Sequence, residues 1–229
     1  MVTEPTTTTS AERRTPLTRE RVLQAAVDLA DRGGYEALSM RKLGQELSVD
    51  AMALYRHVRG KDDLLDGLVE VIVGQIEAPS PAGDWKATLR AQAMAARAVM
   101  LRHPWARQVL EERGTGGPAT LAHIEFALTT LHDAGFSIEL AHHTLHALGS
   151  RIFGFTQDLF EETGPADPPP DPAAVARAMA GYPNIVELAM SVSHEGVLGR
   201  CDDDVEFAFG LDLVLDGLER LLAGTGDAQ

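Results

Sequence analysis

Apolar residues recur at helical spacing along most of this chain, and the breaks in that rhythm divide it into elements. Val22, Ala26 and Leu29 mark one face of a helix that opens at Thr18 and stops at Gly33-Gly34. Met40, Leu43 and Leu47 carry the rhythm on behind Ser39, Ser48-Val49-Asp50 interrupts it, and Met52, Leu54, Tyr55 and Val58 resume it. The pattern predicts a helix, a tight corner and a second short helix from Ala51 to His57. Asp50 is its N-cap, and the side chains of 51, 52, 55 and 56 face outwards. Such a unit places its second helix in the major groove of DNA. From Lys61 a longer helix runs to Glu77 through Leu65, Leu68, Ile72 and Ile76, with Asp62 and Asp63 where the helix dipole favours acids. It reads as a lever between two domains or as a plain connection.

Pro79, Pro81 and Gly83 then mark a corner. An Ala-rich helix from Asp84 to Arg102 carries Leu89, Ala93, Ala96 and Met100 on one side; Pro104 starts another, and Pro118 a third that runs to Gly135. Small residues such as Ala93, Ala96 and Ala127 suit close helix packing or leave room for a ligand. Ile138, Ala141, Leu145, Leu148, Ile152, Phe155 and Leu159 form a stripe predicted to be buried, and Gly149, Phe153 and Phe160 offer a second face. Residues 164–172 hold too many prolines for helix or sheet and are expected to form a mobile loop. The last helix has Phe207, Leu211, Val214, Leu218 and Leu221 in one row, with Leu213, Leu215 and Leu222 elsewhere around it. Helices apolar on more than one side need cover on more than one side, from the chain's own core or from a partner chain.

Composition agrees with an all-α protein: of 229 residues 45% are hydrophobic but only 5% aromatic, and runs rich in Val, Ile, Thr and Tyr are scarce. The expected division is an arm at 1–16, a three-helix head at 17–61, a connecting helix at 62–77, a larger helical body at 78–223 and a tail at 224–229. A net charge of -14 at first opposes a nucleic-acid partner, yet its distribution reverses that inference. Residues 1–61 hold ten Lys and Arg against eight Asp and Glu, a balance of +2, and the remainder holds ten against 26, a balance of -16. The acidity lies outside the head, where it discourages docking of phosphate on the wrong surface. A single cysteine, Cys201, excludes an intrachain disulfide, and neither a signal segment nor a membrane span is legible. The expectation is a cytoplasmic protein without membrane contact.

Leu54-Tyr55-Arg56-His57-Val58 followed by Lys61 resembles the Leu-Tyr-x-His-(Phe/Val)-x-x-Lys signature of TetR-family transcriptional repressors. Gly83-Asp84-Trp85, Asp133-Ala134-Gly135-Phe136-Ser137 and the run from Phe209 to Glu219 are similar to stretches of the tetracycline-repressor subgroup. The resemblance implies an N-terminal helix-turn-helix head and a C-terminal ligand-binding and dimerisation domain. It further implies a homodimer joined by two C-terminal helices from each subunit, and a double-stranded operator released by a small molecule. It carries DNA contact onto Arg41, Ala51, Met52, Ala53, Tyr55, Arg56, His57 and Lys61. The chemistry agrees for several of these. Arg56 suits the O6 and N7 of guanine, Ala51, Met52 or Ala53 suit thymine methyls, and Tyr55 and Lys61 suit phosphates. Arg41 opposes the dipole of its own helix, which leaves it no intrahelical purpose. Leu54 points into the core, and His57 either reaches a phosphate or packs against the first helix. The tetracycline repressor has a tryptophan where Arg56 stands, so its operator does not carry over.

For the effector the resemblance points to Gln92, Ala96, Ala127 and Asp158, to which Met100 and Leu110 are added as apolar lining. Where that subgroup holds magnesium-chelated drug through the histidine of Val-His-Leu-Gly-Thr, this chain reads Val109-Leu110-Glu111-Glu112-Arg113. Magnesium-tetracycline is therefore not expected, and an apolar or amphipathic molecule is. No cofactor is expected. His142, His143 and His146 lack the HExxH pattern and a nearby acidic ligand, so no metal site is assigned, and no GxSxG turn or other nucleophile signature supports catalysis. The same elements also fit a DNA-binding dimer without a ligand, or a small-molecule-binding protein or enzyme that keeps the head as scaffold.

Overall fold

The computed structural model describes residues 16–80, 83–114, 116–154, 172–192 and 202–226, and all its regular elements are helical. In chain order they are α1 (Arg19–Gly33), α2 (Met40–Glu46), α3 (Ala51–Leu54), α4 (Lys61–Val73), α5 (Trp85–Arg102) and α6 (Ala106–Arg113). There follow α7 (Pro118–Asp133), α8 (Ile138–Gly154), α9 (Pro172–Met179), α10 (Pro183–Val192) and α11 (Asp203–Gly226). They form two compact units: α1 to α4 with α6, and α5 with α7 to α11. The segment 103–117 thus folds with the head, although the chain reaches it only after α5.

Local chemistry starts each head helix. The Thr18 hydroxyl accepts from the Arg21 N–H at 3.2 Å, the Ser39 hydroxyl from Lys42 at 3.2 Å, and the Asp50 carboxylate from Met52 at 2.7 Å. The corner between α2 and α3 needs Gly44, because a Cβ there would lie 2.9 Å from the Val49 carbonyl and 3.2 Å from the Ala51 nitrogen. Ser48 takes the left-handed conformation at φ 55° to complete the turn. Val22, Val27, Leu43, Leu54, Leu64, Leu68 and Ile72 are fully enclosed and make the head's core. A second close approach brings α1 onto α4 at Gly67, where a Cβ would meet the Leu23 methyls at 2.5 Å and 3.0 Å.

Both helices around the signature end earlier than their periodicity predicts. After Leu54 the chain continues in tight turns, with His57 N–H donating to Leu54 O at 2.8 Å, while the His57 carbonyl accepts from Arg19 at 2.7 Å instead of from a further helical amide. Arg19 also grips both carboxylate oxygens of Asp63, at 3.0 and 3.1 Å. α4 stops at Val73 because Gly74 follows, and a turn closes with Ile76 N–H on Val73 O.

Polar contacts fasten the segment 103–117 to the head. Asp31 on α1 accepts from the Trp105 indole at 2.6 Å and lies 2.8 Å from Nδ1 of buried His103. The Tyr35 hydroxyl donates to Glu112, and that carboxylate pushes the phenol pKa up to about 12. Arg113 binds Asp66 at 2.7 Å and Asp62 at 3.2 Å on α4.

In the second unit α5 packs against α7, α8 and α11 around Leu89, Ala93, Leu131, Phe136, Phe207 and Leu211. Trp85 meets Phe136 edge-on at 4.9 Å. Lys86 and Arg90 pair with Asp216, Glu219 and Asp212 to lace α5 to α11. The inward rows keep the expected phase, with Ala141, Leu145, Leu148 and Ile152 on α8 and Phe207, Leu211, Val214 and Leu218 on α11 in or against the core, and depart from it at single positions. On α8 the buried positions are Ala141, Thr144 and Leu148, and Ile138 is 79% exposed. On α11 they are Phe207, Leu211, Leu215 and Leu218, and Leu221 is exposed. Arg97 and Arg151 stack on the Phe207 ring at 4.5 and 5.0 Å, and Gly210 lets Arg151 come within 2.6 Å of its Cβ position, which fastens α5 and α8 to α11. Phe155, Leu159, Phe160, the 164–172 loop, the arm and Cys201 lie wholly or largely outside the described residues.

Two outcomes are expected. Gly44→Ala lowers the head's stability by about 1–3 kcal/mol, measured by urea unfolding, because the added methyl meets backbone rather than a side chain that can move. Asp63 has its carboxyl pKa lowered from 3.8 to about 2, first by hydrogen bonding to Arg19 and then by the Arg59 amide. Its contribution is complete above pH 3.8 and is lost as pH falls through about 2. Asp63→Ala therefore costs about 1 kcal/mol at neutral pH, given that Arg19 is partly exposed, and the deficit shrinks across that acid window.

Candidate nucleic-acid interface and effector site

Leu54 is fully buried, so the short α3 is anchored by one side and presents the other. Met52 is 71% exposed and Tyr55 46% exposed, Arg56 is exposed, and Ala51 and Ala53 are half-covered. Arg41 lies exposed in the first turn of α2 and Lys61 at the first position of α4. Among the described residues Arg41, Arg56, Lys61 and also Lys42 make no ion pair, whereas Arg19, Arg32, Lys86, Arg90, Arg97 and Arg113 all do. Four cations without counter-charges around one helix-turn-helix suit a polyanion. His57 is half-buried with its backbone engaged by Arg19. Arg59, with a 90% exposed side chain, reaches Asp63 only at 3.7 Å. Lys42 and Arg59 are absent from the set read from the sequence, although their charge and their place beside the corner were available to find them.

The effector positions fall on separate elements. Gln92, Ala96 and Met100 lie on one side of α5, the first two buried and Met100 half-buried, and Ala127 is buried on α7. Gln92 Nε2 donates to the His123 carbonyl at 3.0 Å and lies 3.2 Å from its ring Nδ1, which ties α5 to α7 one turn from Ala127. Burial pushes the His123 imidazole pKa down, so the ring is neutral at pH 7. Leu110, on α6, belongs to the first unit and is half-buried there, and Asp158 lies outside the described residues. Among the described residues no group of three or more His, Cys, Asp or Glu can hold a metal ion, and His142 and His146 stand as a ring pair with centroids 4.6 Å apart. No described helix is long and apolar enough to cross a membrane.

Residues 22–68 match the family model described as bacterial regulatory proteins, tetR family, and residues 78–222 match the tetracyclin repressor-like C-terminal domain. The chain belongs to the TetR family. It is a DNA-binding transcriptional regulator of the repressor class. This TetR-family chain is 35% identical over 223 residues to the HTH-type transcriptional repressor DrrR1 of Streptomyces coeruleorubidus, spanning 90% of the chain and 79% of that protein. It is 27% identical over 216 residues to the class C tetracycline repressor protein of Escherichia coli, spanning 93% and 95%. Among solved structures it is similar to Streptomyces coelicolor ActR in complex with actinorhodin, with TM-score 0.68, 27% identity and coverage of 93% of this chain and all of that one. The TetR-family head and body correspond to the helix-turn-helix and the larger helical region read from the sequence.

Proposed function

We propose that the protein is a homodimeric repressor that binds a pseudo-palindromic duplex operator through two heads and releases it when a small apolar or amphipathic molecule enters the body. The observation that carries the DNA reading is the cluster of unpaired cations Arg41, Arg56 and Lys61 around the exposed face of α3. Within it Arg56 reads a guanine edge, Ala51, Met52 and Ala53 meet thymine methyls, and Arg41, Tyr55, His57 and Lys61 engage phosphates. Half-sites about one duplex turn apart, or slightly more, match two heads related by a twofold axis.

Gln92, Ala96, Met100 and Ala127, on α5 and α7, are proposed to line the effector site; Leu110 and Asp158 stay as expectations from the sequence, the first lying in the other unit and the second outside the described residues. ActR, a similar protein, is known in complex with actinorhodin, which supports a small-molecule effector. Leu110 offers no metal donor, so magnesium-tetracycline is not the effector proposed. To move operator occupancy from 99:1 to 1:99 the effector needs about 5.5 kcal/mol of preference for the released state. Arg113 joins α6 to α4 through Asp62 and Asp66, so α4 is the element through which a shift of α6 reaches the DNA surface. Dimerisation is proposed on α8 and α11, where Val205, Phe209 and Leu213 repeat every fourth position and are exposed.

Selection of duplex sites from a random pool, followed by anisotropy titrations at several salt concentrations, tests the reading. Arg56→Ala relaxes base preference at one position, a loss of about 1–3 kcal/mol of discrimination. Lys61→Ala weakens every sequence alike and reduces the salt slope by about 1. Indistinguishable behaviour of the two variants contradicts the assignment. Phe209→Glu combined with Leu213→Glu weakens self-association by about tenfold or more in sedimentation equilibrium, since it places charge in a buried apolar seam.

A further inference from the structure

Among the described residues the body has three buried threonines, and two of them are satisfied within their own helices. Thr88 Oγ1 donates to the Asp84 carbonyl at 2.8 Å and Thr144 Oγ1 to the Leu140 carbonyl at 2.8 Å, each four positions back. Thr120 is as enclosed, at 6% exposure, but its hydroxyl has no partner among the described residues. It is the third residue of α7, so the carbonyl four positions back belongs to Gly116, ahead of the helix. A buried hydroxyl without a hydrogen bond destabilises the empty protein, and a bound group that supplies the bond removes that penalty. His123 lies three positions on, next to Thr120 on the same face of α7, and Gln92 meets it from α5. Gln92 is itself 4% exposed.

We propose that Thr120, His123 and Gln92 form the polar anchor of the effector site, and that the effector is an uncharged, largely apolar molecule whose hydroxyl or carbonyl group hydrogen-bonds Thr120. This rests on the reading of the body as an effector domain. The lack of charge follows from the surroundings. The imidazole is neutral, and Arg97, buried on α5, is engaged by Asp204 at 3.0 Å and by the Asp203 carbonyl at 3.0 Å. An ionised ligand would lose its water without gaining a counter-charge from the described residues of α5 and α7. Ala96 and Ala127, near Gln92 and His123 on their helices, leave the anchor flanked by small apolar side chains.

Three probes of one shape test the anchor: naphthalene, 2-naphthol and 2-naphthoate, with the full chain titrated by calorimetry into each probe held below the aqueous solubility limit of naphthalene. The unmutated protein is expected to bind 2-naphthol about tenfold more tightly than naphthalene, as one hydrogen bond to a waiting hydroxyl allows, and not to favour 2-naphthoate. In Thr120→Val the preference falls to within about twofold, and Thr120→Ser, which retains the hydroxyl, keeps it. Without probe, Thr120→Val raises Tm by about 1–3 °C, whereas Thr144→Val, which deletes a satisfied bond, lowers it. A preference for the carboxylate, binding of none of the probes, an unchanged preference in Thr120→Val, or a lower Tm in that variant overturns the anchor. The regulatory reading is separated by titrating 2-naphthol into the unmutated protein on its selected operator. Hydroxyl-dependent binding that leaves the operator complex intact supports the anchor and removes its role as an inducer site. Operator release that is indifferent to Thr120 overturns the anchor alone.

Discussion

The guanidinium of Arg19 reaches the carboxylate of Asp63 and the carbonyl of His57 at once, and the presentation of the DNA-facing surface depends on that double grip. Arg19 opens α1, His57 closes the turn after α3, and Asp63 sits in the first turn of α4, so one side chain ties together three segments that meet at the recognition helix. Charge-assisted bonds of this kind hold geometry as well as energy. With α3 only one turn long, its orientation comes from these ties, from the buried Leu54 and from the close approach at Gly44 rather than from its own helical hydrogen bonds.

Features whose cause is local were legible in the sequence. Thr18, Ser39 and Asp50 cap the helices they precede because a side chain needs only to reach an amide two or three positions on. The corner at Ser48, the all-helical class and the exposed positions of α3 follow from the same short-range chemistry. Features caused by distant residues were not legible. The extent of α3 depends on Arg19, 38 positions before His57, and the place of α6 depends on Tyr35 meeting Glu112 across 77 positions. Periodicity located the apolar rows of α8 and α11 and their phase but not their ends or width, since Ile138 and Leu221 lie outside and Thr144 and Leu215 join the inside. Where a row ends and how wide it is depend on which helices arrive opposite, and no run of residues within one helix encodes that.

The candidate effector site shows a similar division. The small residues Ala96 and Ala127 stand out by composition, and Gln92 by its resemblance to a drug-contacting position. Thr120 and His123 carry no such signal, because the isolation of a hydroxyl is a property of the helix start at Pro118 and of what fails to reach it. Residue type alone makes Thr120 and Thr144 equivalent, and only the preceding turn separates them.

The attachment of α6 to the head has a consequence for how such proteins can be recombined. Asp31, Tyr35, Asp62 and Asp66 find their partners in residues 103–113, on the far side of α5 in the chain. A fragment cut after residue 80 would leave all four side chains without those partners, and a chimera joined there would confront them with foreign ones. The transplantable module is therefore discontinuous: residues 16–72 together with 103–117. Grafting a new DNA specificity onto this body, or a new sensor under this head, requires two crossovers rather than one.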